Sequence, residues 1–162
     1  MCSSDLEDAV LHPAGVDVGV AVATERGLMT PVVREVDRRP LGEVVADLRD
    51  LAARAHAGRL RPEEFEGGSI AVSNLGGAGV EEFAAIINPP QSAIVAVGAV
   101  RDEAVARDGA VAVEPVLRLT VSVDHRPLDG IVAARWLAML VAVLEDPLVL
   151  VAGPGPGPDP GE

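Results

Sequence analysis

The sequence predicts one α/β domain, in which short apolar strands alternate with long helices. Valine alternates with small or polar residues over 16–22, which is the two-residue period of a strand that buries one face. Apolar residues recur at helical spacing over 41–55. A largely apolar strand pattern at 93–100 and an almost wholly apolar helix pattern at 131–144 complete the alternation. The chain has 162 residues, 49% of them hydrophobic, which is enough for one core.

The first elements are predicted to be a hairpin and a helix. Thr-Glu-Arg-Gly at 24–27 predicts a turn that leads the strand at 16–22 back into a second strand at 28–33. The helix at 41–55 should end at Gly58, because glycine readily adopts the left-handed conformation common after a helix.

The middle of the chain predicts a strand, a glycine-rich turn and a helical turn. The strand lies at 69–73 and the glycine-rich turn at 75–79. The helical turn is expected at 81–87 and should stop at Asn-Pro-Pro, 88–90, because proline disfavours a helical conformation in the residue before it. The apolar strand at 93–100 follows.

The last third predicts a second hairpin and the closing helix. The Asp-Gly dipeptide at 108–109 should reverse the chain into a long strand, with apolar residues at every second position over 117–123. The helix at 131–144 should end before Asp-Pro at 146–147. Because it is apolar on every side, we expect it to be buried, and a contact between subunits is one way to bury it.

Charge and composition exclude several functions. Asp plus Glu total 25 against 13 basic residues, a net charge of −12, so most of the surface would repel nucleic acid. Every basic residue is arginine, which excludes a lysine Schiff base and a lysine-dependent phosphate loop. Cys2 is the only cysteine, so we expect no disulfide framework and no zinc site, and a bacterial cytoplasm fits best. No apolar run is long enough to predict a membrane span.

The two ends differ in composition from the rest of the chain. Residues 1–6 are expected to be a non-native leader, because Cys-Ser-Ser-Asp-Leu is what one reading frame of a common sequencing adapter encodes. Residues 152–162 consist mainly of glycine and proline and are expected to form a disordered tail. The folded part is therefore placed at 7–151.

A histidine follows the last predicted strand, within Asp-His-Arg-Pro-Leu-Asp-Gly at 124–130. The His-x-x-x-Asp-Gly pattern is weak evidence by itself, because a histidine after a strand is more often a hydrogen-bonded structural residue than a base. Its function depends on what else the chain contains.

The glycine-rich segment Ser-Asn-Leu-Gly-Gly-Ala-Gly at 73–79 also allows more than one interpretation. A dinucleotide site is disfavoured because Glu82 stands where the last glycine of that motif is needed. A nucleophilic serine is disfavoured because no Gly-x-Ser-x-Gly elbow surrounds Ser73. We expect Ser73 to donate a hydrogen bond instead.

Three segments occur in order along the chain. They are Gly-Gly-Ser-Ile-Ala-Val-Ser-Asn-Leu-Gly at 67–76, Ile-Ile-Asn-Pro-Pro-Gln-Ser-Ala-Ile at 86–94 and Asp-His-Arg-Pro-Leu-Asp-Gly at 124–130. Together they resemble the catalytic domain of 2-oxoacid dehydrogenase E2 components, the dihydrolipoamide acyltransferases. The resemblance runs from about residue 16 to about residue 151, and three ordered motifs are far more specific than any one of them.

The resemblance implies a fold like that of chloramphenicol acetyltransferase, a mixed sheet packed with helices. It also implies a homotrimer with active sites between subunits, the histidine loop coming from one subunit and the serine turn from its neighbour. The substrates would be coenzyme A and a lipoyl group carried on a separate domain, with no metal. Other partners would be the E1 and E3 components of the complex. The catalytic residues of the family fall on His125, Ser73 and Asp129.

The reaction so implied is thiol-to-thioester exchange. An imidazole near pKa 6.5 can accept the proton of a thiol near 8.5 at a cost of about 2.7 kcal/mol, so His125 would be the general base. The Ser73 hydroxyl would stabilise the tetrahedral oxyanion by roughly 3 kcal/mol, the contribution of one oxyanion-hole donor. Asp129 would hold the histidine loop by pairing with an upstream arginine.

Each assigned residue has a structural alternative. Asp129 could cap the following helix, a role compatible with anchoring the loop. Ser73 could satisfy backbone groups in a tight turn. The prolines at 89–90 are expected only to shape the chain. His12 and His56 are not catalytic candidates.

The chain also departs from the family pattern. A full member carries a lipoyl domain, a small subunit-binding domain and a longer catalytic domain, so we expect an N-terminally truncated catalytic domain without the arginine that pairs with Asp129. Ser73 resembles the acetyl and branched-chain members more than the succinyl members, which often have threonine there, and acetyl is the acyl group we expect. Two alternatives stay open: a noncatalytic structural core fragment of such a complex, and another coenzyme A-dependent acyltransferase of the same fold, against which Ile-Asn-Pro-Pro-Gln at 87–91 argues.

Overall fold

The computed structural model describes residues 4–6 and 9–151 and confirms the α/β class. The helices are α1 (Leu41–His56), α2 (Gly130–Glu145) and α3 (Leu148–Val151). The strands are β1 (Ser4–Leu6), β2 (Ala9–Leu11), β3 (Val18–Val20), β4 (Val22–Thr24), β5 (Gly27–Met29), β6 (Val32–Val33), β7 (Ile70–Asn74), β8 (Ala93–Val97), β9 (Arg101–Arg107), β10 (Ala110–Val116) and β11 (Leu119–Val123). Short 3-10 turns lie at Val36–Arg38, Pro62–Glu64 and Gly76–Ala78.

Five strands form a mixed sheet in the order β11-β8-β7-β3-β6. The three inner strands are parallel to one another, and the two outer strands run antiparallel to their neighbours. Strand β8 is apolar along its whole length because both of its faces are covered. The core cluster contains Ile70, Ala93, Val95 and Leu128, with Trp136 and other half-buried side chains packed against it.

Both predicted hairpins are present as separate two-stranded ribbons, β4 with β5 and β9 with β10. Asp108 and Gly109 have φ angles of 50° and 81°, as the tight turn between β9 and β10 requires. The long strand predicted through Leu117 is divided, because β10 pairs with β9 whereas β11 pairs with β8. Alternation in the sequence does not reveal where a chain changes its partner strand.

The first predicted helix is confirmed as α1. It buries Leu51 and Ala55, and Gly58 just beyond it has a φ of 65°.

The helical turn predicted at 81–87 is wrong. That segment has no helical structure, and it runs across the end of β8 with its backbone against Gly98. A Cβ atom on Gly98 would lie 1.8 Å from the Glu81 carbonyl oxygen, and Ala99 N–H donates to the Val80 carbonyl at 2.8 Å. Tertiary contacts therefore occupy backbone groups that a helix would use internally.

The expectation that the closing helix is buried is wrong for a single copy of the chain. Trp136 and Leu140 of α2 pack on the sheet, yet none of its residues is fully buried. Ile131 and Met139 are 65% and 62% exposed. A contact between subunits over this face stays a prediction.

No helix among the described residues is both long and apolar enough to cross a bilayer. The tail predicted at 152–162 lies outside the described residues. The boundaries of the leader at 1–6 and of the domain at 7–151 stay predictions. Strand β1 lies in the first range and pairs with β2, which lies in the second.

Candidate functional site

The loop that carries His125 is fixed at both ends. It begins where β11 ends, and the Asp124 N–H donates to the Ser92 carbonyl at 2.8 Å. Leu128 then returns the chain to the core, where it is 7% exposed, and its N–H donates to the Asp124 carbonyl at 3.2 Å. Between these anchors the His125 side chain is exposed.

Asp129 caps the helix that follows the loop. Its Oδ1 accepts a hydrogen bond from the Val132 N–H at 2.8 Å, which satisfies one of the free donors in the first turn of α2. The capping role considered for this residue is confirmed. Loop anchoring through an arginine stays a prediction.

Ser73 is the fourth residue of β7 and is half-buried. It does not hold the turn that follows: that bond comes from Asn74, whose Oδ1 accepts from the Gly76 N–H at 2.9 Å. Within the described part of the chain, the Ser73 hydroxyl makes no hydrogen bond. The structural alternative, a serine that satisfies its own turn, therefore does not describe it.

The turn after Ser73 depends on two close backbone approaches. A Cβ on Gly76 would lie 2.5 Å from the Gly98 carbonyl oxygen, and the Leu75 N–H donates to the Val97 carbonyl at 3.1 Å. The glycine-rich segment thus presses the serine turn onto the end of β8.

His125 and Ser73 lie toward opposite ends of the sheet in one copy of the chain. Ser73 is level with Ala96 in β8 and through it with Thr120 in β11, whereas Val123, the strand residue before the histidine loop, is level with Ile70. The two levels are three residues apart, which is about 10 Å along the strands. Strand β8 lies between β7 and β11, which adds about 10 Å across the sheet. One copy therefore does not bring the two side chains to the same substrate atom.

The residue before the histidine carries a strongly held negative charge. Arg126 donates to the Asp124 carboxylate from its backbone N–H at 3.0 Å, from Nε at 3.0 Å and from Nη2 at 2.5 Å. The Arg126 side-chain and backbone hydrogen bonds lower the pKa of Asp124 to about 2. Asp124 is therefore ionised throughout the pH range in which a histidine titrates.

Sequence reasoning missed Gln91, which is 4% exposed. Its Nε2 donates to the Gly67 carbonyl at 3.2 Å, and Cβ atoms on Gly19 and Gly68 would lie 2.7 and 3.0 Å from Nε2. Gly19 of β3 and the two glycines of the turn before β7 thus leave a slot for one amide. Only the placement of Gln between a proline pair and a buried strand hinted at this role.

A cavity of about 150 Å³ lies beside the histidine loop. Its lining combines the proline segment with the flanks of His125, namely Ile87, Pro89, Pro90, Gln91, Asp124 and Arg126. The segment expected only to shape the chain thus forms one wall of the candidate site.

The chain matches a known family over most of its length. Residues 2–152 fit the family described as 2-oxoacid dehydrogenases acyltransferase (catalytic domain). The chain belongs to this family. All three motifs of the acyltransferase pattern lie inside the matched residues, so the resemblance inferred from them is confirmed.

Relatives and solved structures agree with this membership. The dihydrolipoyllysine-residue acetyltransferase component of the pyruvate dehydrogenase complex from Rickettsia felis is 40% identical over 145 residues, which cover 90% of this chain and 35% of that protein. The chain thus spans about a third of the length of that relative. The dihydrolipoamide acetyltransferase of Azotobacter vinelandii superimposes with a TM-score of 0.86 at 32% identity, covering 92% of this chain and 62% of that one.

A cubic core of the pyruvate dehydrogenase multienzyme complex superimposes equally well, with a TM-score of 0.86 at 32% identity. It too covers 92% of this chain and 62% of its own. The fold of the acyltransferase catalytic domain, predicted from three motifs, is therefore confirmed by structure as well as by sequence.

Proposed function

We propose that this chain forms the catalytic part of an acyltransferase that moves an acyl group, acetyl in the favoured case, between dihydrolipoamide and coenzyme A. It would act as the E2 core of a 2-oxoacid dehydrogenase complex, with E1, E3 and lipoyl domains as partners. The proposal rests on family membership together with the residues that the fold presents.

One observation carries the assignment of the residues. Work on the Azotobacter acetyltransferase concerns the roles of a serine, a histidine and an asparagine in its catalytic mechanism. The intervals between those residues along the chain equal the intervals between Ser73, His125 and Asp129. The third residue is aspartate here, and both Asp and Asn can cap a helix, which is what Asp129 does.

The reaction assigned to these residues is a balanced exchange. The His125 imidazole takes the proton from the thiol of coenzyme A, and the thiolate attacks the thioester carbon of the acyl-lipoyl group. The Ser73 hydroxyl donates to the oxyanion that forms. When the intermediate collapses, the carbon–sulfur bond to the lipoyl group breaks and the imidazolium returns the proton to that sulfur.

The separation of Ser73 and His125 supports a site shared by two copies. We propose a trimer in which the histidine loop of one copy faces the serine turn of another. The apolar, exposed face of α2 supports an assembly, because monomers rarely leave such a surface in water. Light scattering on the complete protein distinguishes a trimer from a larger cage, and a cage-sized particle would contradict the trimer.

The direct test of the function is His125→Ala in the intact protein that contains this chain. We expect the rate of acyl transfer to fall at least about 100-fold, because a general base contributes about that much. His56→Ala, a change to an exposed histidine at the end of α1, is the matched control and should keep normal turnover. Near-normal turnover in His125→Ala would remove His125 from its role and would favour a noncatalytic core.

A further inference from the structure

Asp124, the residue before His125, is bound through its carboxylate to Arg126, the residue after it. Asp124 Oδ1 accepts both the backbone N–H and Nε of Arg126 at 3.0 Å, and Oδ2 accepts Nη2 at 2.5 Å. These bonds close a hydrogen-bonded ring that includes the backbone of the one residue between them, His125. The backbone bond alone would form an Asx turn, and the guanidinium makes the same carboxylate one half of a fork-shaped ion pair.

Backbone hydrogen bonds of Asp124 connect this ring to the end of the sheet and to the rest of the loop. Asp124 is bonded through its N–H to Ser92 and through its carbonyl to Leu128. Its side chain is 21% exposed, whereas that of Arg126 is 70% exposed. The backbone of Asp124 is therefore fixed by the fold, and the Arg126 guanidinium reaches back to its carboxylate from the outer side.

Other charged groups near the loop are held by partners of their own. The cavity wall opposite, at 87–91, carries no ionisable side chain. On the α2 side, Asp129 caps the helix. At the same end of the sheet, Asp17 accepts from Arg34 at 2.8 Å. The Asp124 carboxylate, next to His125 in the chain, is held by Arg126 through its backbone N–H and its guanidinium.

We propose that Arg126 is a positioning residue for acyl transfer: by holding Asp124 it fixes the turn that presents His125 and keeps the neighbouring negative charge balanced. This inference rests on the proposed role of His125 as the base. A base acts in its neutral form, and an unbalanced carboxylate beside an imidazole favours the protonated form. Arg126 prevents that by supplying the positive charge itself.

The test is the pH dependence of kcat/KM in the intact protein. Arg126→Met leaves the Asp124 carboxylate unbalanced, so the acid limb of the profile should move to higher pH. We expect a shift of about half a pH unit, because water partly screens the exposed pair. Asp124→Asn removes the negative charge and keeps the positive charge of Arg126, so the acid limb should move the opposite way. The double variant Asp124→Asn with Arg126→Met removes both charges and should return the limb close to its original position.

Arg107→Met is the matched control. Arg107 also forms an exposed ion pair, with Nε 3.0 Å from a Glu114 oxygen, but it lies in the β9–β10 ribbon. This variant should keep the parental profile. Arg126→Lys retains the charge without the fork and should restore the limb position more fully than it restores kcat.

The outcomes separate this inference from the proposed function. An unchanged acid limb in both single variants, with His125→Ala inactive, would overturn the role of Arg126 and leave the function standing. Normal turnover in His125→Ala would overturn the function itself. If Arg126→Met does not fold, the opposite shift in Asp124→Asn decides the question alone, and the absence of that shift would contradict the inference.

Discussion

At the scale of single residues, the clearest contrast is between two neighbours on β7. Asn74 holds the turn through its side chain, whereas the Ser73 hydroxyl has no partner among the described residues. A half-buried hydroxyl without an internal role can donate to a ligand at little structural cost. The sequence places both polar residues side by side and does not distinguish them.

Ser73→Ala should therefore lower kcat and leave the affinity for coenzyme A unchanged. We expect a loss of roughly 100-fold, which corresponds to one oxyanion-hole donor that acts in the transition state. Steady-state kinetics in the intact protein measures both constants. A change confined to affinity would mean that Ser73 binds substrate and does not stabilise the oxyanion.

Asp129 has a role that stability measurements can isolate. Because its carboxylate caps α2, Asp129→Ala should lower the free energy of unfolding by about 1 kcal/mol. Asp129→Asn keeps an oxygen at the same place and should be close to the parent. Denaturant unfolding of the three proteins checks this, and equal losses in both variants would show that charge matters more than the cap.

At the scale of elements, α1 is tied to the chain before β7 by a compact ion network. Glu64 lies in the 3-10 turn Pro62–Glu64 and accepts Arg54 of α1 at 2.5 Å, together with the Arg61 backbone N–H at 2.8 Å. The Arg54 hydrogen bond, then the Arg61 backbone and side chain, lower the pKa of Glu64 to about 2. The network joins the first long helix to the segment that leads into the serine strand.

The pH dependence of this tie has a definite sign. A carboxylate whose folded-state pKa is lowered stabilises the protein above its ordinary value of 4.5, and this contribution disappears as the pH falls toward about 2. Glu64→Gln should therefore lose stability at neutral pH and become less sensitive to acid between these values. Unfolding curves across that range test it, with Glu63→Gln, an exposed neighbour, as control. An identical acid response in Glu64→Gln and the parent would contradict the role of the network.

Periodicity in the sequence predicts correctly the elements whose burial follows a simple pattern along the chain. Helix α1 has one apolar stripe and β8 is covered on both faces, and both are found as expected. The segment at 81–87 is not, because the backbone of Gly98 determines its path from far along the chain. The same limit applies to the site: the motifs indicated His125 and Ser73, but the Gln91 slot needs glycines from two distant segments.

At the scale of the whole molecule, a single copy leaves two features incomplete. The apolar helix α2 remains exposed along much of its length. His125 and Ser73, the proposed catalytic pair, lie toward opposite ends of the sheet, as the strand register shows. A symmetric assembly resolves both, because each interface can bury apolar surface and bring unlike ends of two copies together.

Mixing two inactive variants tests this arrangement directly. His125→Ala and Ser73→Ala proteins, denatured together and refolded, should form mixed assemblies in which some sites receive His125 from one copy and Ser73 from another. Random mixing in a cyclic assembly makes about one quarter of the sites intact, so activity should return to about that share of the parent. Each variant refolded alone is the control and should keep no more than its own residual activity, about one hundredth of the parent. If the mixture remains as inactive as its components although light scattering shows mixed assemblies, the two residues do not serve one shared site.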